Sequence, residues 1–221
     1  MPVIIKLVRH GESEANIHRV NPHDVGEHAI ALSDRGWDQA RRAGERIGRE
    51  FLTGALIYVS PYRRTQQTLD GILDGAGFGA PPMGRSGVRV YEDPRLREVE
   101  HGYEPLEDQQ DLRRRHGWFY YRFRGGESPA DCFDRTSLFL ESMMRQVERK
   151  STERVLIVTH GLTIRCFVMR FLHLTVEEFD SMDSVDNCDV ITLAARDTLE
   201  APLFAAGRWG VTGLRRRPDG G

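Results

Sequence analysis

The chain has 221 residues, of which 39% are apolar and 29% charged, and its 31 basic and 33 acidic residues leave a formal net charge of −2. This length predicts one domain with a sizeable core, and the near-neutral charge balance argues against a nucleic-acid partner. Three cysteines, Cys132, Cys166 and Cys188, are far apart and lack CxxC spacing, which argues against a disulfide framework and favours a reducing compartment.

The N-terminal stretch becomes charged too early for a signal peptide, and no run of about 18 apolar residues is present to cross a membrane. We therefore expect a cytoplasmic protein without a membrane partner.

Short apolar runs rich in β-branched residues are typical of buried strands. They cover residues 3–8, 55–59, 88–91, 155–159 and 190–194. Between them, apolar residues recur at helical spacing over residues 37–51 and 133–147. Strands that alternate with helices predict an α/β protein, a three-layer α/β/α sandwich with a mostly parallel central sheet.

Helix starts and loops are marked by small polar residues, proline and glycine. Ser60-Pro61 and Ser128-Pro129 each place a capping hydroxyl before a proline, and Thr175 with Glu178 resembles a capping box. Residues 75–87 read as a loop. The tail 214–221, LRRRPDGG, is basic and then turn-forming, so we expect one domain over residues 1–213 and a disordered tail, for which a role toward a membrane or polyanion stays open.

Residues able to bind phosphate follow three of the predicted strands. These are Arg9-His10-Gly11, Ser60-Pro61-Tyr62-Arg63-Arg64 and Thr159-His160-Gly161. Since ligands bind beyond the carboxyl ends of parallel strands, two histidines and at least two arginines should meet at one rim. Arginine binds phosphate oxygens bidentately, and a helix that opens at Gly161 adds backbone N–H donors. The pattern predicts a phosphoryl site, although His10 alone at a turn is equally compatible with a structural role.

Five segments occur in order within residues 7–161: LVRHGESEAN, SPYRRTQQT, LREVEHG, GGES and VTHG. Together they resemble the histidine phosphatase superfamily of phosphoglycerate mutase-like enzymes. The resemblance implies the phosphoglycerate mutase-like fold and a reaction through a phosphorylated histidine. We expect neither a metal nor another cofactor, because the residues at the three strand ends lack the carboxylates of a magnesium-dependent phosphatase and their histidine spacing does not form an HExxH zinc motif.

The resemblance also implies site residues. His10 would be the nucleophile, Arg9, Arg63 and His160 would bind the phosphoryl group, and Glu98 would be the general acid and then the base for water. Asn16 and Gly161 would line the phosphate pocket.

Neighbouring residues compete for two of these roles. Arg64 is the alternative to Arg63 as the inward-facing arginine, although helix geometry and the S-P-x-R spacing favour Arg63. Glu92 and Glu100 are alternatives to Glu98, which the L-x-E-x-x-x-G pattern selects. Glu12 is expected to form a cap or salt bridge, and the other histidines to be surface or packing residues.

Residues 103–126 are rich in arginine and aromatic residues, and either form an amphipathic helix with packing aromatics or cap the site and select the substrate. We expect one or two of its cationic residues to face the pocket, from the set Arg113, Arg114, Arg115, His116, Arg122 and Arg124.

The predicted function is a metal-independent phosphomonoesterase that acts on a small phosphorylated metabolite. The first motif lacks the Trp-Asn pair of cofactor-dependent mutases, and residues 118–135 look like a phosphatase subgroup of fungi, plants and bacteria. The alternatives are mutase-type phosphoryl transfer and a non-catalytic module that binds a phospho-ligand. The fold is compatible with a homodimer, although the sequence shows no self-complementary patch.

Overall fold

The computed structural model describes residues 3–102, 104–105 and 107–218. Its seven-stranded sheet has the order β3-β2-β4-β1-β5-β7-β6. The strands are β1 (Ile4–Arg9), β2 (Leu56–Val59), β3 (Val90–Glu92), β4 (Arg154–Thr159), β5 (Val190–Ala195), β6 (Phe204–Ala206) and β7 (Trp209–Thr212). The helices are α1 (Pro22–Val25), α2 (Asp34–Ile47), α3 (Arg49–Leu52), α4 (Arg63–Gly75), α5 (Gln110–His116), α6 (Pro129–Lys150), α7 (Gly161–Leu172) and α8 (Val176–Ser181).

The predicted α/β/α sandwich is confirmed, and its sheet is mixed. Strands β3, β2, β4 and β1 are parallel, whereas β5 pairs with β1 antiparallel and β7 and β6 continue that antiparallel half. Strands β6 and β7 are not among the runs predicted from the sequence. Each has at most four residues, and a two-residue turn that begins at Gly207, with φ of 56°, joins them.

Helices cover both faces of the sheet because side chains alternate along each strand. On β1, Val8 packs into a cluster with Ala40 of α2 and Leu69 of α4. Ile5 and Leu7 point to the other face, into a larger cluster that contains Phe139 of α6 and Phe167 of α7. Strands β2 and β4, in the middle of the parallel half, are thus buried on both faces, and the polar residues of β4 lie at its ends.

The helix-start predictions are confirmed at α6 and α8, where Ser128 with Asp131 and Thr175 with Glu178 form complete capping boxes. The start predicted at Ser60-Pro61 is wrong. Helix α4 begins at Arg63 with Tyr62 as its N-cap, and this later start decides which arginine faces the site.

The prediction of a disordered tail is wrong for its first residues. Leu214 is buried in the core, the Arg215 carbonyl accepts from Asp183 N at 2.9 Å, and Arg217 N donates to the Ser181 carbonyl at 2.9 Å. The segment is therefore held against the chain after α8, beyond the predicted boundary at residue 213. Residues 219–221 of the tail lie outside the described residues. Across residues 3–102, 104–105 and 107–218, no helix combines the length and apolarity needed to span a membrane.

Candidate active site

The two predicted histidines meet at the carboxyl ends of adjacent parallel strands. Because β1 and β4 pair with Arg9 opposite Thr159, the residues that follow, His10 and His160, lie side by side with ring centroids 5.3 Å apart. His10 N also donates to the Thr159 carbonyl at 2.9 Å. The side chains of both histidines are buried, at 4% and 0% exposure.

The hydrogen bond of His10 defines its reactive atom. Its Nδ1 lies 2.8 Å from the Gly11 carbonyl oxygen, and since a carbonyl only accepts, Nδ1 must be the protonated nitrogen. Burial, followed by the charges of Arg64 and Arg9, lowers the pKa of His10 well below its usual value. The imidazole is therefore neutral near pH 7, and Nε2 keeps a lone pair.

Gly11 is required by a neighbouring helix. A Cβ atom at Gly11 would lie 2.5 Å from the carbonyl oxygen of Gly36 in the first turn of α2, and the Gly11 N–H donates to Thr68 Oγ1 at 3.0 Å. This close approach packs the segment that contains His10 between α2 and α4, so that the imidazole sits on rigid elements.

Arg9 is held by the loop that precedes β5. Its Nη1 donates to the Val185 carbonyl at 2.5 Å, and in the same loop Asn187 Nδ2 donates to the His10 carbonyl at 2.9 Å. The buried Nε of Arg9 has no hydrogen-bond partner in the described part of the chain. A guanidinium with a free buried N–H beside His10 is suited to an anionic ligand. No pattern in the sequence pointed to Val185 or Asn187.

The choice of Arg63 as the inward arginine is corrected by the structure. Arg63 is exposed, whereas Arg64 is 4% exposed and its charge lowers the pKa of both His10 and His160. Adjacent residues on a helix point about 100° apart, so the start of α4 at Arg63 turns Arg64 inward. Arg64 Nη1 donates to the Glu27 carbonyl at 2.6 Å, and Nη2 lies 2.9 Å from the Glu27 carboxylate.

His160 is fixed by a residue whose role the sequence did not reveal. Its Nε2 lies 2.9 Å from Ser60 Oγ, the hydroxyl predicted to cap α4. The buried Nδ1 of His160 lacks a hydrogen-bond partner among the described residues. Burial, then Arg64 and His10, lowers the pKa of His160 well below its usual value. The edge of Tyr62 closes this side, with ring centroids 5.1 Å apart.

Glu98 lies at the N-terminus of α7, close to the arginine of the first motif. The Thr159 and Thr163 hydroxyls donate to the carbonyls of Leu96 and Arg97 at 2.6 and 2.7 Å, which holds the chain just before Glu98. Glu98 Oε2 accepts from Leu162 N at 3.4 Å and Oε1 from Thr163 Oγ1 at 3.3 Å. Its carboxylate also interacts with the charge of Arg9.

The alternatives to Glu98 are placed elsewhere. Glu100 is exposed and lines a cavity beside Tyr62. Glu92 accepts a hydrogen bond from Gln66 Nε2 at 3.0 Å. Gly161 begins α7 against Arg9, since a Cβ built on it would lie 3.6 Å from Arg9 Nε. Asn16 is exposed, and its Oδ1 accepts from Ser13 N at 3.0 Å.

Asn16 and Glu12 both take part in contacts within the first motif and its surroundings. Asn187 Nδ2 lies 3.4 Å from Asn16 Oδ1, which ties Asn16 to the loop that also contacts His10. Glu12 accepts from Ser33 Oγ at 2.7 Å and pairs with Arg35 at 3.3 Å. The expectation of a salt bridge for Glu12 is confirmed.

A cavity of about 520 Å³ lies beside Tyr62 and Glu27, which contact His160 and Arg64, and we call it the Tyr62 pocket. Its described lining comprises Pro22, His23, Gly26, Glu27, His28, Tyr62, Glu100, His101, Gly102, Glu104 and Pro105. A larger cavity of about 1100 Å³ lies at the opposite end of the sheet, beside Val3 and Trp209, and its described lining contains no histidine.

The prediction that one or two cap arginines face the pocket is wrong for the described lining. Arg113 stacks over Trp118 and Phe123, Arg122 pairs with Asp131 at 2.5 Å, and Arg124 reaches the rim only as the partner of Glu104, at 2.9 Å. The remaining members, Arg114, Arg115 and His116, are exposed on α5. Tyr103 and Leu106, which belong to the predicted cap, lie outside the described residues.

Residues 5–201 match the family model of the histidine phosphatase superfamily, branch 1. The chain belongs to the histidine phosphatase superfamily. It is 38% identical over 210 residues to the phosphoglycerate mutase-like protein AT74H of Arabidopsis thaliana, which covers 86% of this chain and 73% of that protein. It is 27% identical over 290 aligned positions to the broad-range acid phosphatase DET1 of Saccharomyces cerevisiae, and the match covers 90% of this chain and 87% of that protein.

Mutases are also among the relatives of this chain. A 2,3-bisphosphoglycerate-dependent phosphoglycerate mutase of Azorhizobium caulinodans is 30% identical over 187 residues, with 80% of this chain and 85% of that protein covered. Among solved structures, a mycobacterial glucosyl-3-phosphoglycerate phosphatase in complex with VO3 superposes with a TM-score of 0.71 at 21% identity, covering 96% and 98% of the two chains. That likeness shows the shared fold.

Proposed function

We propose that this histidine phosphatase is a phosphomonoesterase that acts on a small phosphorylated metabolite through a phosphohistidine on His10. One observation supports this most strongly: His10 is buried, its Nδ1 bonds the Gly11 carbonyl, and its Nε2 keeps a lone pair. The free N–H of Arg9 and the buried Nδ1 of His160 add further partners for a phosphoryl group at the same rim.

In the first step, His10 Nε2 attacks phosphorus and the P–O bond to the leaving group breaks. The imidazole then bears positive charge, which the Gly11 carbonyl stabilises through the Nδ1–H bond. Arg9, Arg64 and His160 hold the phosphoryl oxygens, so their donors neutralise charge that is present in the transition state. For Arg64 this requires that a phosphate oxygen displace the Glu27 carboxylate.

Glu98 supplies the proton that the leaving oxygen needs. As a carboxylic acid it protonates that oxygen, and as a carboxylate it then removes a proton from water. The water attacks phosphorus and the P–N bond breaks, which releases inorganic phosphate and regenerates neutral His10. Both halves of the reaction use residues of this chain at one end of the sheet.

The test is hydrolysis of p-nitrophenyl phosphate by the full-length protein in the presence of EDTA. We expect turnover that His10→Ala abolishes. The matched control is His173→Asn, because His173 is exposed at the far end of α7 with φ of 53°, a conformation that asparagine tolerates. Full activity in His10→Ala would contradict the mechanism.

Phosphoglycerate mutase activity is the second candidate, supported by the mutase relatives. Incubation with 3-phosphoglycerate and 2,3-bisphosphoglycerate separates the two functions. A phosphatase releases inorganic phosphate, whereas a mutase forms 2-phosphoglycerate with little release.

A further inference from the structure

The Tyr62 pocket borders the phosphoryl site through two of its lining residues. Tyr62 forms part of its wall and contacts the ring of His160, and Glu27, also on the wall, contacts Arg64. A phosphomonoester with its phosphoryl group at His10 therefore places its alcohol portion in this cavity. Its volume of about 520 Å³ is in the usual range for a small-molecule site.

Three carboxylates line this pocket, and their partners differ. Glu104 pairs with Arg124 at 2.9 Å, and Glu27 pairs with Arg64 at 2.9 Å. Glu100 forms no ion pair within the described part of the chain, and its charge helps to raise the pKa of Tyr62, after burial as the main cause. Once a phosphoryl group binds Arg64, the Glu27 carboxylate loses its partner as well, so two uncompensated carboxylates face the leaving group.

No arginine or lysine belongs to the described lining of this pocket. Arg97 and Arg135 share the Glu127 carboxylate, and Arg113 stacks on aromatic rings. His101, the imidazole beside Glu100, has a pKa lowered mainly by burial, so it is uncharged at neutral pH. An ester with a second anionic group would meet like charges in this cavity, whereas hydroxyl and ammonium groups find acceptors there.

Building on the proposed function, we infer that the substrate is a phosphate ester of an uncharged or cationic alcohol, such as a polyol or an amino alcohol, and that Glu100 disfavours esters with a second anionic group. Glu100 is then a specificity-determining residue that acts on the leaving group. The mutase substrate 3-phosphoglycerate, which has a carboxylate, belongs to the disfavoured class.

The experiment compares glycerol 3-phosphate, which ends in a hydroxymethyl group, with 3-phosphoglycerate, which has a carboxylate at the same carbon. O-phosphoethanolamine is included as the cationic ester. Assays at pH 8 keep exposed imidazoles uncharged. The wild-type protein should have a higher kcat/KM for glycerol 3-phosphate and O-phosphoethanolamine than for 3-phosphoglycerate.

Glu100→Gln should raise the ratio of kcat/KM for 3-phosphoglycerate to that for glycerol 3-phosphate about 2- to 5-fold, the effect expected for one partly exposed charge. Added salt should shrink this change. The matched control is Glu148→Gln, because Glu148 is exposed at the end of α6 and lines the opposite cavity.

A wild-type preference for 3-phosphoglycerate, or an unchanged ratio in Glu100→Gln, would overturn the substrate class while leaving the phosphatase intact. Absence of turnover with these esters and with p-nitrophenyl phosphate would instead overturn the proposed function, and the inference with it.

Discussion

Replacing Arg64 by alanine removes the buried guanidinium that α4 places near His10 and His160. Its Nη2, which now lies 2.9 Å from the Glu27 carboxylate, is proposed to bind a phosphoryl oxygen during the reaction. Loss of one preorganised donor to a developing anion costs about 2.7–4 kcal/mol, or a factor of about 10²–10³ in rate. We therefore expect kcat/KM of Arg64→Ala to fall by about that factor.

The loss should be catalytic rather than structural. The Glu27 side chain is 41% exposed, so its carboxylate stays hydrated without Arg64. The lost hydrogen bond to the Glu27 carbonyl should lower the free energy of unfolding by about 0.5–1.5 kcal/mol, so the variant should stay folded. The assay is steady-state hydrolysis of p-nitrophenyl phosphate together with thermal unfolding of each variant.

The neighbouring residue provides the matched control. Arg63 is exposed on the same turn of α4, so Arg63→Ala should keep kcat/KM within about twofold, in line with other surface substitutions. A large loss in Arg63→Ala together with near-normal activity in Arg64→Ala would refute the assignment of Arg64.

Three further predictions concern protonation, proton transfer and positioning. The pKa of His10 is lowered, so the free enzyme should keep His10 neutral as the pH falls through 6.5, and an NMR titration showing protonation near 6.5 would contradict this. Glu98→Gln should slow transfer of the phosphoryl group from alkyl esters to His10 about 10²- to 10⁴-fold and the pre-steady-state release of nitrophenolate from p-nitrophenyl phosphate much less, because nitrophenolate leaves without a proton; equal losses in this first step would argue against a general acid. Arg215 pairs at 2.8 Å with Asp186, a residue of the loop that holds Arg9 and His10. Arg215→Ala should therefore speed amide hydrogen exchange in residues 182–189 and lower kcat about 2- to 5-fold. Unchanged exchange would exclude a positioning role for Arg215.

Strong local patterns predicted the framework and the two histidines. The runs of β1 and β4 are apolar except for Lys6, so the polar residues that follow could be assigned to strand ends. The parallel pairing of Arg9 with Thr159 then brings His10 and His160 together, as the rule for open sheets predicts.

The choice between Arg63 and Arg64 depended on a tertiary contact that the sequence does not show. Ser60 followed by proline is a typical helix start, but its hydroxyl contacts His160, and α4 begins at Arg63 instead. A shift of two residues changes the direction of each side chain on the first turn by about 200°.

Long-range ion pairs explain the errors in the cap and the tail. Arginine-rich composition indicated a basic pocket and a free basic tail, yet Arg124 and Arg215 are matched by Glu104 and Asp186. Such pairs join residues 20 and 29 positions apart, beyond what local patterns reveal. As a result the pocket beside the histidines is acidic.

The most direct test of the account is to trap the covalent intermediate. A ³²P-labelled phosphomonoester is mixed with the wild-type protein, quenched under denaturing conditions within the first turnovers, and the labelled peptide is identified. We predict an acid-labile label on the peptide that contains His10, absent from His10→Ala. A label on another side chain, or continued turnover with no label at any quench time, would contradict the phosphohistidine mechanism.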